Sequence, residues 1–167
     1  MTRKRGIRRL ADFQKDGHHV RCTIISKPEE LEAAYSIRHT VFVEEQGVPD
    51  DLERDSHDDE AVHFLALLDD EPVGTARLIL NDDCSGKAGR VAVLKKARHS
   101  GIGRILMDEL EQHACRLKLS RITLAAQCEA VPFYLKRGYV PFGEVFSDAG
   151  IAHQSMSLLL TFENLSP

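Results

Sequence analysis

Apolar positions along this chain fall into short runs of two kinds, and each kind predicts a different element. Val20–Ile25 is a first strand, and Val62–Leu68 is a continuous apolar run bounded by charges, as in a strand buried on both faces. Asp69–Pro72 is a turn, so Val73–Leu80 pairs with that run as a hairpin. Arg90–Leu94 and Ile122–Ala126 predict two more strands, and Tyr139–Phe142 and Ser155–Phe162 close the chain in strand-like pattern. Between them, Leu31, Tyr35, Arg38 and Val41/Phe42 recur at helical spacing to about Glu45, where Gly47-Val48-Pro49 stops the helix. Ser26 is the expected cap, Pro28 suits the first turn, and Glu29 completes a capping box.

Ile102, Ile105, Leu106, Leu110, Ala114 and Leu117 form the apolar stripe of a long helix. Ala130–Arg137 predicts a short helix ended by Gly138. Asp50, Asp51, Glu53, Asp55, Asp58, Asp59 and Glu60 make an acidic loop over 50–60, and Asn81–Gly89 is a turn-rich loop. The expectation is an α/β fold, with helices flanking a mixed, mostly antiparallel sheet of about six to seven strands. Residues 20–167 are expected to form a single domain behind a solvated, mobile tail over 1–19.

Composition narrows the function classes. The chain has 167 residues, 43% hydrophobic and 29% charged, enough for one core and too apolar for disorder. No apolar run approaches the ~20 residues a membrane span needs, and the basic N-terminus has no apolar segment behind it. A net charge of −4 argues against a nucleic-acid partner. Cys22, Cys84, Cys115 and Cys128 are scattered without a C-x-x-C pair, which fits reduced thiols in a cytoplasm. Neither an EF-hand glycine nor H-E-x-x-H is present, so no metal is expected.

The first chemical feature is the turn between the Arg90 strand and the long helix. Arg98, His99, Ser100, Gly101, Ile102, Gly103 and Arg104 place glycines where a helix begins. Successive backbone N–H groups there form a nest for an anion, favoured by the helix dipole, and glycine lets a pyrophosphate approach closely. The spacing is neither a Rossmann fingerprint nor a P-loop, and alone it fits a plain tight turn equally well.

The stretch Arg90–Met107, carrying Arg98-x-x-Gly101-x-Gly103, resembles motif A of the GNAT acetyltransferase superfamily. Ala130-Val-Pro-Phe133-Tyr134-Leu-Lys-Arg-Gly138-Tyr139 resembles its motif B, and the two stand in family order across residues 20–162. Ile37–Pro49 with Glu53, Asp55, Asp58, His63, Arg77 and Gly150–His153 resembles the ElaA-like subgroup. The resemblance implies acetyl-CoA as co-substrate. Its pantetheine arm would lie on the main chain of Val91, Ala92 and Val93, and its pyrophosphate on Arg98–Arg104. It implies that Tyr134 protonates the departing thiolate.

Glu45, Asp58, His63 and His153 are candidate bases, and Arg38, Glu53, Asp55, Arg77 and His153 candidate acceptor contacts. The arginines and carboxylates suit a structural ionic network equally well, and His63 suits a core histidine. The acceptor would be a small-molecule or peptide amine. The same ionic pattern resembles acyl-homoserine-lactone synthases, which leaves that class open, as does a non-catalytic acyl-CoA-binding module. The final strands offer an edge for a homodimer.

Overall fold

Val62–Leu68 (β3) shows why a continuous apolar run can still be a strand. Phe64 faces one side of the sheet and packs with a long helix, while Leu65 faces the other and packs with a second helix. The computed structural model describes residues 11–161. Its other strands are β1 (Ala11–Lys15), β2 (His18–Ile24), β4 (Glu71–Leu80), β5 (Ser85–Val93), β6 (Arg121–Gln127), β7 (Val140–Pro141), β8 (Phe146–Asp148) and β9 (Ile151–Leu159). The helices are α1 (Pro28–Arg38), α2 (Asp50–Glu53), α3 (Ile102–Arg116) and α4 (Val131–Lys136). Among the described residues no helix is long and apolar enough to cross a membrane.

The strands form one sheet in the order β1-β2-β3-β4-β5-β6-β9-β7, with β8 also on β9. Every pairing is antiparallel except β5–β6, which α3 connects. The sheet is therefore mixed and mostly antiparallel, with nine strands rather than six or seven. One face carries α3, whose Ile102, Leu106 and Leu110 meet Phe64, Ala76 and Leu78. The other carries α1, whose Ala34 and Ile37 meet Leu65 and Ala92. Gly74 allows α3 to lie this close to β4, since a Cβ there would stand 2.9 Å from Ile102 Cγ2.

Several boundaries differ from the pattern's expectation. Residues 11–19 belong to a hairpin rather than a tail, because β1 pairs with β2 from Ala11↔Cys22 to Lys15↔His18. Residues 1–10 lie outside the described residues. Strand β5 begins at Ser85, not Arg90, since its Gly86, Lys87 and Gly89 carry little strand propensity of their own. Helix α1 is capped by Glu30 instead of Glu29, its Oε2 accepting from Ser26 N (3.0 Å) and Lys27 N (3.3 Å). Beyond Arg38 the helix continues as a π-helical segment, His39–Glu45. Leu117 ends α3 and is exposed rather than part of its apolar stripe. Strand β9 is no open edge, being paired with β6 on one side and with β7 and β8 on the other.

Candidate active site

Strands β5 and β6 pair only from Ser85↔Arg121 to Lys87↔Thr123 and then diverge. The cause lies in β5. Its register against β4 shifts between Thr75 and Arg77, and Arg90 takes a positive φ of 50°, a bulge that bends the strand away. Strand β6 meanwhile stays on β9 as far as Gln127↔His153. The gap is a cavity of about 640 Å³, with Gly89–Val91 on one wall, Leu124–Gln127 on the other, and Tyr134 between. Gln127 Nε2 donates to Gln46 Oε1 at 2.7 Å, tying β6 to the π-helical segment.

Of the three strand residues expected to meet the donor, Val91 lines the cavity and Ala92 is buried in the core on the α1 face. The Leu94 N–H donates to Val73 O on β4. Main-chain groups alternate along a strand, so those of Val93 face away from β4, toward the gap. The Val93 carbonyl there accepts from Arg98 Nε at 2.9 Å.

The glycine turn follows. His99 has φ 62° and Gly101 φ 87°, and Gly101 is the N-cap of α3. Glycine is the residue that holds such a backbone without strain. The turn leaves the first N–H groups of a 15-residue helix without helical partners, the geometry of an anion nest. Ile102 is buried in the core, so any part it has in binding falls to its main chain. Arg98 Nη2 pairs with Glu45 Oε2 at 2.7 Å, and exposed Arg104 stands 3.9 Å from Asp108. Ser100 Oγ donates to Ala97 O and locks the turn from within.

Beside the cavity lies a buried ionic cluster. Arg38, only 1% exposed, donates from Nε to Glu53 Oε1 (2.5 Å) and from Nη1 and Nη2 to the two Asp58 oxygens (2.8 and 3.0 Å). Arg77 Nη1 reaches Asp55 Oδ1 (2.8 Å) and Asp58 Oδ1 (2.9 Å). Arg90, which the sequence places at the start of a strand without a site role, is aimed by the bulge at the Glu53 carbonyl (Nε, 3.0 Å) and at Asp55 Oδ2 (Nη2, 3.3 Å). Three guanidiniums thus meet three carboxylates. Burial alone would raise the Asp58 carboxyl, but hydrogen bonds from Arg38 and Arg77 outweigh it and hold the group well below the usual carboxylate range. Asp55 is lowered the same way, burial being outweighed by Arg77 and Arg90. Glu53, Asp55 and Arg77 line the cavity, whereas Arg38 and Asp58 sit behind them.

This geometry sorts the candidate bases. Asp58 is committed to two arginines, and Glu45 is paired with Arg98. His63 is buried with Nε2 donating to Asp58 O at 2.8 Å and its ring edge-on to Tyr35, a core histidine away from the cavity. His153 does line the cavity. Its Nδ1 lies 2.7 Å from Ile151 O, which can only accept, so Nδ1 carries a proton, and in the neutral form of the ring the lone pair is on Nε2. Its ring stacks on Phe146, 5.8 Å between centroids. His57, on the acidic loop, also lines the cavity and was missed in the sequence because nothing distinguishes it from its charged neighbours.

Tyr134 is buried between Phe133 (5.0 Å) and Tyr139 (5.6 Å), both edge-on. It lines the cavity, and its hydroxyl makes no hydrogen bond among the described residues. Burial pushes the phenol up to about 12, so it is a protonated donor at neutral pH. Among the described residues no group of three or more His, Cys, Asp or Glu converges as metal ligands would.

Comparisons with known proteins bear on the family and the fold. Residues 12–160 match the family model described as an acetyltransferase (GNAT) domain. The chain is 40% identical to the uncharacterised N-acetyltransferase YjcF of Bacillus subtilis over 138 residues, 82% of this chain and 98% of that one. It is 31% identical to Escherichia coli ElaA over 147 residues, 86% of this chain and 94% of that one. The crystal structure of E. coli ElaA superposes with a TM-score of 0.75, covering 83% and 98% of the two chains. An acyl-CoA N-acyltransferase structure from Pseudomonas aeruginosa superposes with a TM-score of 0.73 at 30% identity, covering 83% and 97%.

Proposed function

The chain belongs to the GNAT acetyltransferase family, and from that premise we propose that it transfers an acetyl group from acetyl-CoA to an amine by direct attack in a ternary complex. The observation that carries this reading is the splayed β5–β6 gap, a cavity lined by Gly89–Val91 of β5 and by Tyr134, whose hydroxyl makes no hydrogen bond among the described residues. The fit to a thioester donor is physical: an open strand edge for an amide-bearing arm, and a nest of main-chain N–H groups for phosphates. Val91–Val93 hold the arm and Arg98–Arg104 the pyrophosphate.

The residues then divide the chemistry. His153 Nε2, with its lone pair held free, takes a proton from the acceptor ammonium. The resulting amine attacks the thioester carbonyl, and the Val93 N–H, facing the gap, stabilises the oxyanion. As the C–S bond breaks, Tyr134 donates its proton to the sulfur, and the proton that the newly acylated nitrogen sheds returns to the phenolate. A free thiol titrates near ~8.5 in water, and the burial that raises the phenol acts on a neighbouring thiolate in the same direction. The ionic cluster holds the acidic loop against the sheet, so that Glu53, Asp55 and Arg77 form the acceptor end of the cavity. The unpaired cysteines suit a reducing compartment, and the cytoplasm is the proposed location.

Release of free coenzyme A thiol from acetyl-CoA across a panel of amines tests the reading. Tyr134→Phe is expected to lower kcat by about 100-fold while changing the Kd for coenzyme A less than about 2-fold. Equal loss of rate and binding would remove Tyr134 from the chemistry. The ionic cluster also favours a second reading, an acyl-homoserine-lactone-synthase-like transfer. Product analysis with S-adenosylmethionine as acceptor separates the two, and binding without turnover on any acceptor would favour a non-catalytic module.

A further inference from the structure

Lys15 ends β1, the strand that the hydrophobic pattern assigned to a tail. The chain reverses at Asp16 (φ 50°) and Gly17 (φ 80°), a two-residue hairpin with both positions left-handed, and pairs Lys15 with His18. From there the side chain crosses to the glycine turn, where Nζ donates to the Ser100 carbonyl at 2.9 Å. A Cβ on Gly101 would stand 2.8 Å from the same Nζ. The ammonium therefore lies against the Ser100–Gly101 peptide, whose N–H is the Gly101 donor at the start of α3.

Arg98 of this turn is matched by Glu45, while exposed Arg104 stands 3.9 Å from Asp108, whose Oδ1 accepts from Arg137 at 2.7 Å. Lys15 pairs with no carboxylate among the described residues. A cation on a carbonyl oxygen polarises the whole peptide and strengthens its N–H as a donor. It also leaves an uncancelled positive charge at the helix N-terminus.

Resting on the donor site proposed above, we infer that Lys15 is a positioning residue for the donor's pyrophosphate, and that the N-terminal hairpin is part of the acyl-CoA site. Lys15 braces the turn from the side of the Ser100 carbonyl and adds its charge to a nest whose Arg98 is paired with Glu45.

Calorimetry on the full chain, with coenzyme A and dephospho-coenzyme A as probes, tests this. Lys15→Met is expected to raise Kd about 5- to 10-fold for both ligands and to make binding less salt-dependent. Lys15→Arg, which keeps the charge, should bind near the wild-type level. The inference is overturned if Lys15→Met binds like wild type, if Lys15→Arg loses as much as Met, or if the loss spares dephospho-coenzyme A. A wild type that binds no coenzyme A sinks the donor site and this inference together. A wild type that binds, with Lys15→Met unchanged, removes Lys15 alone.

Discussion

Replacing Arg38 by methionine tests the ionic cluster where its energetics are sharpest. Arg38 and Glu53 are 1% and 3% exposed, so water cannot replace the lost guanidinium. Asp58 would keep Arg77 Nη1 at 2.9 Å and the Asp55 N–H at 3.1 Å. Glu53 would lose its 2.5 Å partner and be left with Arg90 Nε at 3.7 Å. Breaking a buried pair from one side costs about 3–5 kcal/mol, because a charge is left buried and uncompensated. At ~2–4 °C per kcal/mol for a chain of this size, that is a fall in Tm of roughly 6–20 °C. Urea denaturation at neutral pH, followed by circular dichroism, measures it, with the m-value expected to stay constant. Adding Glu53→Gln removes the stranded charge and should recover about 1–2 kcal/mol. A single-mutant loss below about 1 kcal/mol, the range of exposed ion pairs, would refute the claim that these charges are buried and mutually dependent.

Two further predictions follow from the perturbed groups. Asp58 and Asp55 titrate lower in the folded state than the ~3.9 of an unfolded aspartate, so the unfolded chain binds more protons as pH falls. Their contribution to stability is complete above about pH 5 and is lost on acidification through that unfolded value toward the folded ones; Asp58→Asn should lower stability at neutral pH and flatten this acid loss, and an unchanged acid slope would contradict it. With Tyr134 pushed up to about 12, kcat should show no alkaline limb from this phenol below about pH 10, and a limb near pH 9 that vanishes in Tyr134→Phe would contradict the assignment.

The parts of this protein readable in advance are those written in contiguous residues. The glycine turn into α3, the apolar stripe of Ile102, Leu106 and Leu110, and the Phe133-Tyr134 segment each lie in one stretch, and each stands where the sequence placed it. The features that escaped depend on register between distant segments. Arg90 joins the cluster only because a bulge turns it toward Glu53, 37 positions away. Lys15 meets Ser100 across 85 positions, and no local pattern marks either residue for the other. His63 alternates with apolar neighbours as a ligand or a core residue would, and only the Asp58 carbonyl on its Nε2 tells the two apart. The start of β5 was hidden because Gly86 and Gly89 belong to a strand held by its neighbours rather than by propensity.

If the glycine turn and the β5–β6 gap form an acyl-CoA site, the protein binds acetyl-CoA through them. Calorimetry of acetyl-CoA binding to the wild type, with Gly101→Glu alongside, tests it most directly. That substitution forces a side chain onto φ 87°, against Lys15 Nζ, and adds negative charge to the nest. The account predicts saturable one-to-one binding by the wild type, lost or weakened at least about 100-fold in the variant. A wild type that binds no acetyl-CoA, or a Gly101→Glu variant that is folded and binds as well, would contradict it.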